Sequence, residues 1–214
     1  MATTTRAPGS PTTDRWVGPT TAGVLSALPG LALMAAGYFH PERLDEGTAH
    51  RWWTLHVPGM LVFPLVGVAL MWLFKGRRDP LAVVAVLAAF VYAIFYNALD
   101  ILSGIGAGWV TSRLPSGAAR PDEVRSIFAI GTPLGEIGSW GLLVAAVVVA
   151  LDALLRHRLA GLPGLLLVPG AVLLHLDHIY WPQGALGIGL VGLATGWLAY
   201  VGRRSGSVMS THRG

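Results

Sequence analysis

His175 and His178 lie three residues apart, so on a helix they share one face and can point at a single centre. The same chain carries His56, Asp100 and Glu136 inside apolar runs, with Asn97 and Tyr96 one turn before Asp100. Imidazole nitrogens with one or two carboxylates are the donor set of a divalent metal such as zinc. Histidines on facing helices, for example His56 and His175, are equally the axial ligands of a b-type haem. The expected site is therefore His56, Asp100, Glu136, His175 and His178. His56 and His175 are its metal ligands, His178 is a reserve ligand, and Tyr96 and Asn97 are supporting hydrogen-bond partners behind Asp100. No HExxH or other known metal motif is matched, so residue type and position carry the reading. The competing reading takes His40, His50 and His178, each alone, as interfacial imidazoles bonded to loop carbonyls. Trp52, Trp53, Tyr180 and Trp181 then form an aromatic belt.

What must position these groups follows from composition. Of 214 residues, 53% are apolar and only 12% charged, about half the ~25% charge of soluble domains. Such a chain cannot cover a water-facing surface with polar groups, which excludes intrinsic disorder and an ordinary cytosolic enzyme. Zero cysteine excludes disulfides, thiolate zinc sites, ordinary iron–sulfur ligation and covalent c-type haem. Lys75 is the one lysine against a background of Arg, Ala and Gly, a usage that suggests a GC-rich bacterial genome. The net charge of +4 does not indicate nucleic acid, because the arginines sit between apolar runs and not along one helix face.

A bilayer span needs ~20 mostly apolar residues. Six windows qualify: Thr21–Phe39, Trp53–Phe74, Leu81–Ser103, Ile127–Leu151, Leu162–Ile179 and Gly184–Val201. The fold class expected is an all-α integral membrane protein, a bundle of six transmembrane helices with both termini inside. Only Tyr180–Gln183 separates the last two windows, where Pro182 and Gly184 favour a tight reversal; a re-entrant hairpin is the alternative. Ten basic residues fall on the side that holds the KGRR turn Lys75–Arg78, against five on the other, which places the N- and C-termini in the cytoplasm. The expected organisation is a disordered cytoplasmic tail over 1–18, one transmembrane domain over 19–202 and a cytoplasmic tail over 203–214. The loop Gly104–Ser126 shows no core pattern.

With this topology His40, His56, Asp100, Glu136, His175 and His178 all fall near the outer ends of their spans. Ionisable groups in spans cost ~2.5–3.5 kcal/mol each on insertion scales, so they usually face the bundle interior. Five spans supplying polar groups to one depth is a convergence that the topology argument did not use. Glu136 has no charged neighbour in sequence and is expected to face the interior.

Three small-residue pairs, Gly104/Gly108, Gly131/Gly135 and Gly192/Gly196, each put two glycines on one helix face. They mark close helix contacts, within the chain or in a helix-mediated homo-oligomer. Pro29, Pro58, Pro64, Pro133 and Pro169 lie inside spans, where neighbouring helices satisfy the freed carbonyls. Three functional classes fit: a membrane enzyme or redox protein with an outer-leaflet metal or haem centre, a proton-coupled small-solute transporter, and an accessory membrane protein whose polar layer joins helices. No Walker loop, nucleotide fingerprint or nucleophile elbow occurs, which removes ATP-driven transport and α/β-hydrolase chemistry. The partner expected in every case is the lipid bilayer of the cell membrane.

Overall fold

The computed structural model describes residues 17–115, 117–119 and 121–211, with side chains to Ser205. The tail expected over 1–18 lies outside the described residues up to residue 16. The described chain is all-helical, with no strand among the described residues. Helix α1 spans Pro19–Phe39, α2 Ala49–Trp72 and α3 Pro80–Leu99. A π-helical stretch, Asp100–Gly106, leads into the short α4, Ala107–Thr111. Helix α5, Asp122–His157, is followed by a 3₁₀ stretch Arg158–Leu166, then α6, Leu167–Asp177, and α7, Gln183–Thr211.

Five of these helical segments are long and apolar enough to cross a membrane, among them Pro80–Thr111 and Asp122–Asp177. Their outward faces are apolar: Leu61, Leu87, Phe90 and Val147 are each more than half exposed. Both features are compatible with a multi-pass membrane protein. The fourth and fifth windows differ from expectation because no loop divides them. Helical hydrogen bonding runs on through the 3₁₀ stretch into an α6 of 11 residues. The chain still turns back on itself. Arg158 takes φ 50, a Cβ on Gly161 would sit 2.3 Å from the Ala153 carbonyl, and His175 returns to Ser139.

The third window extends beyond Ser103 to Thr111, and this corrects the expected loop. Ala107 and Val124 are fully buried with Leu44, Ala49 and Trp52 in a small second core. The C-terminal polar segment begins as helix, since α7 runs to Thr211.

Small residues set the helix spacing. Gly23, Gly30 and Gly37 recur every seven residues along α1 and meet Gly196, Gly192 and Ala185 of α7. A Cβ on Gly30 would stand 2.6 Å from the Cα of Gly192, so the two backbones touch. Gly131 and Gly135 lie against Ser103 and Leu99, and Gly104 and Gly108 against His56, Trp52 and Trp53. All three sequence pairs thus serve contacts within the chain. Between the helices, Phe63, Tyr92, Leu142 and Ile188 are almost wholly buried in the main core.

At one end of the bundle Asp79 caps α3, accepting from the Ala82 N–H at 3.2 Å with Pro80 at the first helical position. Arg77 grips Asp79 through Nε and Nη2, both at 2.9 Å, and Asp152 through Nη1 and Nη2, both at 2.7 Å. Arg156 adds a bond from Nε to Asp152 at 2.8 Å. This ties the turn after α2 to the far end of α5.

Candidate metal centre

The other end of the bundle carries His40, His56, His175 and His178. His40 follows the last residue of α1, and Gly37, which packs against the Ile179 carbonyl and Ala185, lets that end of α1 approach closely. His56 lies one turn after Trp52 on α2, and its ring occupies the space a side chain at Gly104 would take. His178 caps α6 with φ 50, which swings its ring inward. Asp100 opens the π-helical stretch after α3. Single π turns inside α-helices recur at functional sites, because the extra residue re-aims side chains and frees a carbonyl. Here the Ser103 carbonyl accepts from the Trp52 indole at 3.0 Å.

One nitrogen from each of His40, His56 and His178 lies within 4.8 Å of the other two. The hydrogen bonds around them fix two tautomers. His40 Nδ1 is 2.7 Å from the Pro41 carbonyl, and His56 Nδ1 is 2.7 Å from the Trp52 carbonyl. A carbonyl only accepts, so both Nδ1 atoms carry the proton. In the neutral imidazoles both Nε2 atoms then present lone pairs. Those two Nε2 atoms face each other at 3.4 Å. His178 Nδ1 shares a 2.5 Å hydrogen bond with the Tyr96 hydroxyl.

Asp100 is 1% exposed, and its Oδ1 is 3.8 Å from His56 Nε2. Among the described residues neither of its carboxylate oxygens has a hydrogen-bond partner. Gly59 makes room for it, since a Cβ there would stand 3.0 and 3.1 Å from the two oxygens. A buried carboxylate without donors is costly, so the geometry calls for a cation or a proton beside it.

Two cavities flank the cluster. A groove of about 300 Å³ passes His56, Tyr96, Ser103 and His178 and opens beside Thr132 and Glu136, both exposed. An apolar cleft of about 190 Å³ between α1 and α2 reaches His40, His56 and Asp100 from the other side.

The sequence-expected residues divide accordingly. His56, Asp100 and His178 come together, with Tyr96 on His178. His175 and Glu136 share the groove with His56 and His178 but not the nitrogen cluster. The His175 ring packs on Trp140, and its Nδ1 is 2.8 Å from the Ser139 hydroxyl. That hydroxyl donates to the Glu136 carbonyl, so it accepts from His175. Glu136 does not face the interior as expected. Gly131, Gly135 and Gly138 form the buried face of α5, and Glu136 is exposed beside it. The Asn97 Oδ1 is buried without a partner, and Asn97 lines neither cavity.

His40 is the cluster member that the sequence reading set aside as an interfacial histidine. It does bond a loop carbonyl, as that reading has it, and this bond is what turns its Nε2 toward His56. The signal available was its depth, which matches the other groups. Compared with protein-family models, with curated proteins and with solved structures, the chain matches none.

Proposed function

We propose that this chain is a cell-membrane protein crossing the bilayer six times, with both ends cytoplasmic, and that it is a metalloprotein. Its centre takes a divalent transition metal between His40, His56 and His178, with Asp100 as a fourth donor or charge-balancing neighbour. The observation that carries this is the opposed pair of Nε2 lone pairs at 3.4 Å beside the unpartnered Asp100. Two nitrogens at zinc-bond length from a tetrahedral ion stand about 3.4 Å apart, so the spacing is that of co-ligands. Each Nδ1–H on a carbonyl is the usual partner that orients a metal-bound imidazole.

The surroundings favour an ion over haem. Axial haem ligands lie on opposite sides of a macrocycle, whereas here three imidazoles converge, and Trp52, His178 and Tyr180 rings lie within 4.7–6.0 Å of His40. Three nitrogen donors with an open side is the pattern of catalytic zinc sites more than of closed structural ones. The open side is the groove bearing Glu136 and His175. This supports the enzyme class over the accessory class.

Metal analysis of the purified full-length protein tests the reading. Near-stoichiometric zinc, cobalt or a neighbouring metal is expected, and a His40→Ala, His178→Ala variant should lose it. Cobalt loading should give the strong visible absorption of a tetrahedral site. Equal metal content in protein and variant overturns the proposal; a metal-free protein in both would instead assign the cluster to a proton shared by His and Asp100.

A further inference from the structure

The apolar cleft between α1 and α2 ends on the histidine cluster. Of the residues that line it, His40, His56 and Asp100 are the polar ones, and all three are buried. The remaining wall is apolar, with Ala32 and Ala36 from α1 and Pro58 and Val62 from α2. Apolar walls with a few polar groups gathered at one place are the composition of small-molecule sites. The carboxylate of Asp100 belongs to this wall, since its two unpartnered oxygens lie against Gly59, itself a lining residue.

The cleft has a mouth as well as a floor. Ala32 and Pro58 are exposed, and the surface beside Pro58 is apolar, with Val57 and Leu61 exposed in turn. Along α1 the lining reaches from His40 back to Ala32, and along α2 from His56 on to Val62. At 1.5 Å of rise per residue that is a run of ~9–12 Å. It extends from the ends of the helices to Val62, near the middle of Ala49–Trp72. In a chain that spans the bilayer, this depth meets hydrocarbon and not water. The open volume is local to this face of α1. On the face toward α7, Gly30 and Gly37 bring the backbones into contact, whereas Ala32 and Ala36 border the cleft.

We propose that the centre takes an amphiphile of the bilayer as its substrate. A single apolar chain lies in the α1–α2 cleft, an oxygen-bearing headgroup reaches the histidines and Asp100, and the groove beside Thr132 and Glu136 takes the polar remainder. This rests on the metal reading and adds the substrate class to it. A water-soluble substrate needs the polar groove alone; the second, apolar approach to the same three side chains is what carries the inference. Lipid tails are as apolar as the cleft wall, so the cleft selects by shape and places the headgroup, and it adds little hydrophobic driving force.

The full-length protein, cobalt-loaded in phosphatidylcholine nanodiscs, is titrated with decanohydroxamic acid and with acetohydroxamic acid, following the visible absorption of cobalt. Both carry the same metal-binding headgroup, and only the first carries a chain. Decanohydroxamate should perturb the spectrum at lower concentration. Ala32→Leu, Ala36→Leu fills the cleft and should weaken decanohydroxamate roughly tenfold, the scale of overpacking a fitted site, while acetohydroxamate binds as before. Ala35→Leu adds the same bulk to an exposed position of α1 outside the cleft lining. It should bind both probes like the unaltered protein, which separates fit in the cleft from partition into the bilayer. The inference alone is overturned if cobalt-loaded protein does not respond to decanohydroxamate, if the filled cleft binds it unchanged, or if Ala35→Leu weakens it equally. A protein without cobalt absorption overturns the metal reading and this inference with it. The cobalt spectrum without probe shows whether each variant keeps its site. If the Ala32, Ala36 pair does not take up cobalt, Ala32→Leu alone, at the exposed mouth, carries the same comparison.

Discussion

His40 and His56 oppose each other Nε2 to Nε2 at 3.4 Å, although His40 lies just past the end of α1 and His56 within α2, and each has its Nδ1 on a backbone carbonyl. Without a cation between them, two lone pairs face each other in a site that excludes most water. Removing one ring therefore relieves the metal-free protein while destroying the ion site. His40→Leu, close in volume, should change metal-free stability by no more than ~1.5 kcal/mol. The metal-dependent stabilisation of the unaltered protein, ~2.7 kcal/mol at a hundredfold excess over Kd, should vanish. Chemical denaturation with and without zinc measures both. A variant that keeps the zinc-dependent stabilisation removes His40 from the ligand set.

Asp100 gives a prediction of opposite sign for stability and for affinity. Its carboxylate is buried without donors and 3.8 Å from His56. Asp100→Asn keeps the shape and removes the charge. The metal-free protein should gain ~1–3 kcal/mol, the penalty of an unsatisfied buried group. Zinc affinity should fall ~10–100-fold, as on losing a supporting partner of a metal site. Competition titration against a chelator reads the second effect. Unchanged affinity would leave Asp100 a structural residue only.

The helical, apolar character of the chain was legible because long unbroken apolar runs have few other solutions. The common depth of His56, Asp100 and His178 was legible from counting along those runs. What the sequence withheld was direction. A π turn at Asp100 and a positive φ at His178 re-aim side chains by amounts that ideal 3.6-residue periodicity does not contain. His175 and Glu136 reach the right groove, but Ser139, Trp140 and the glycine face of α5 decide where they point. His40 was hidden for a different reason, since a carbonyl-bonded imidazole at a helix end looks the same whether or not its other nitrogen has a task. The joined fourth and fifth windows were unreadable because a 3₁₀ connection needs no polar loop.

The glycine contacts can be separated by what a methyl group would strike. Gly192→Ala sets a Cβ 2.8 Å from the Ala27 carbonyl and 3.0 Å from the Gly30 Cα. Backbone cannot yield there, so a loss of ~1–3 kcal/mol is expected. At Gly104 the obstacle is the His56 ring itself, whose Cδ2 would be 2.2 Å away. Gly104→Ala should therefore lower zinc affinity as well as stability. Gly202 has nothing within 4 Å, and Gly202→Ala should be neutral or gain up to ~1 kcal/mol of helix propensity. Three equal losses would refute close packing as the role of these glycines.

The start of α1 and the end of α7 line one cavity, so both ends of the described chain lie at the same end of the bundle. With the basic turn Lys75–Arg78 at that end, reporter fusions at Gly214 and near Gly117 should give opposite signals, cytoplasmic for Gly214. Like signals at both points would break the proposed topology.

Asp79 supplies a pH dependence from outside the helical spans. The Arg77 guanidinium, first through its hydrogen bonds, pulls the Asp79 carboxyl from the ordinary 3.8 down to about 2. A carboxyl depressed by folding binds fewer protons in the folded than in the unfolded chain, so its contribution is complete above the ordinary value. That contribution is lost as pH falls from near 4 toward 2. Asp79→Asn keeps an acceptor for the Ala82 N–H and removes only the charge. The variant should melt below the unaltered protein at pH 5 and 6, and the two midpoints should converge as pH falls toward 2. Asp152 is present in both proteins, so its titration largely cancels in the difference. Melting curves at half-unit pH steps measure the gap. A gap that stays constant down to pH 2.5 would show that Asp79 acts through shape and not through its charge on Arg77.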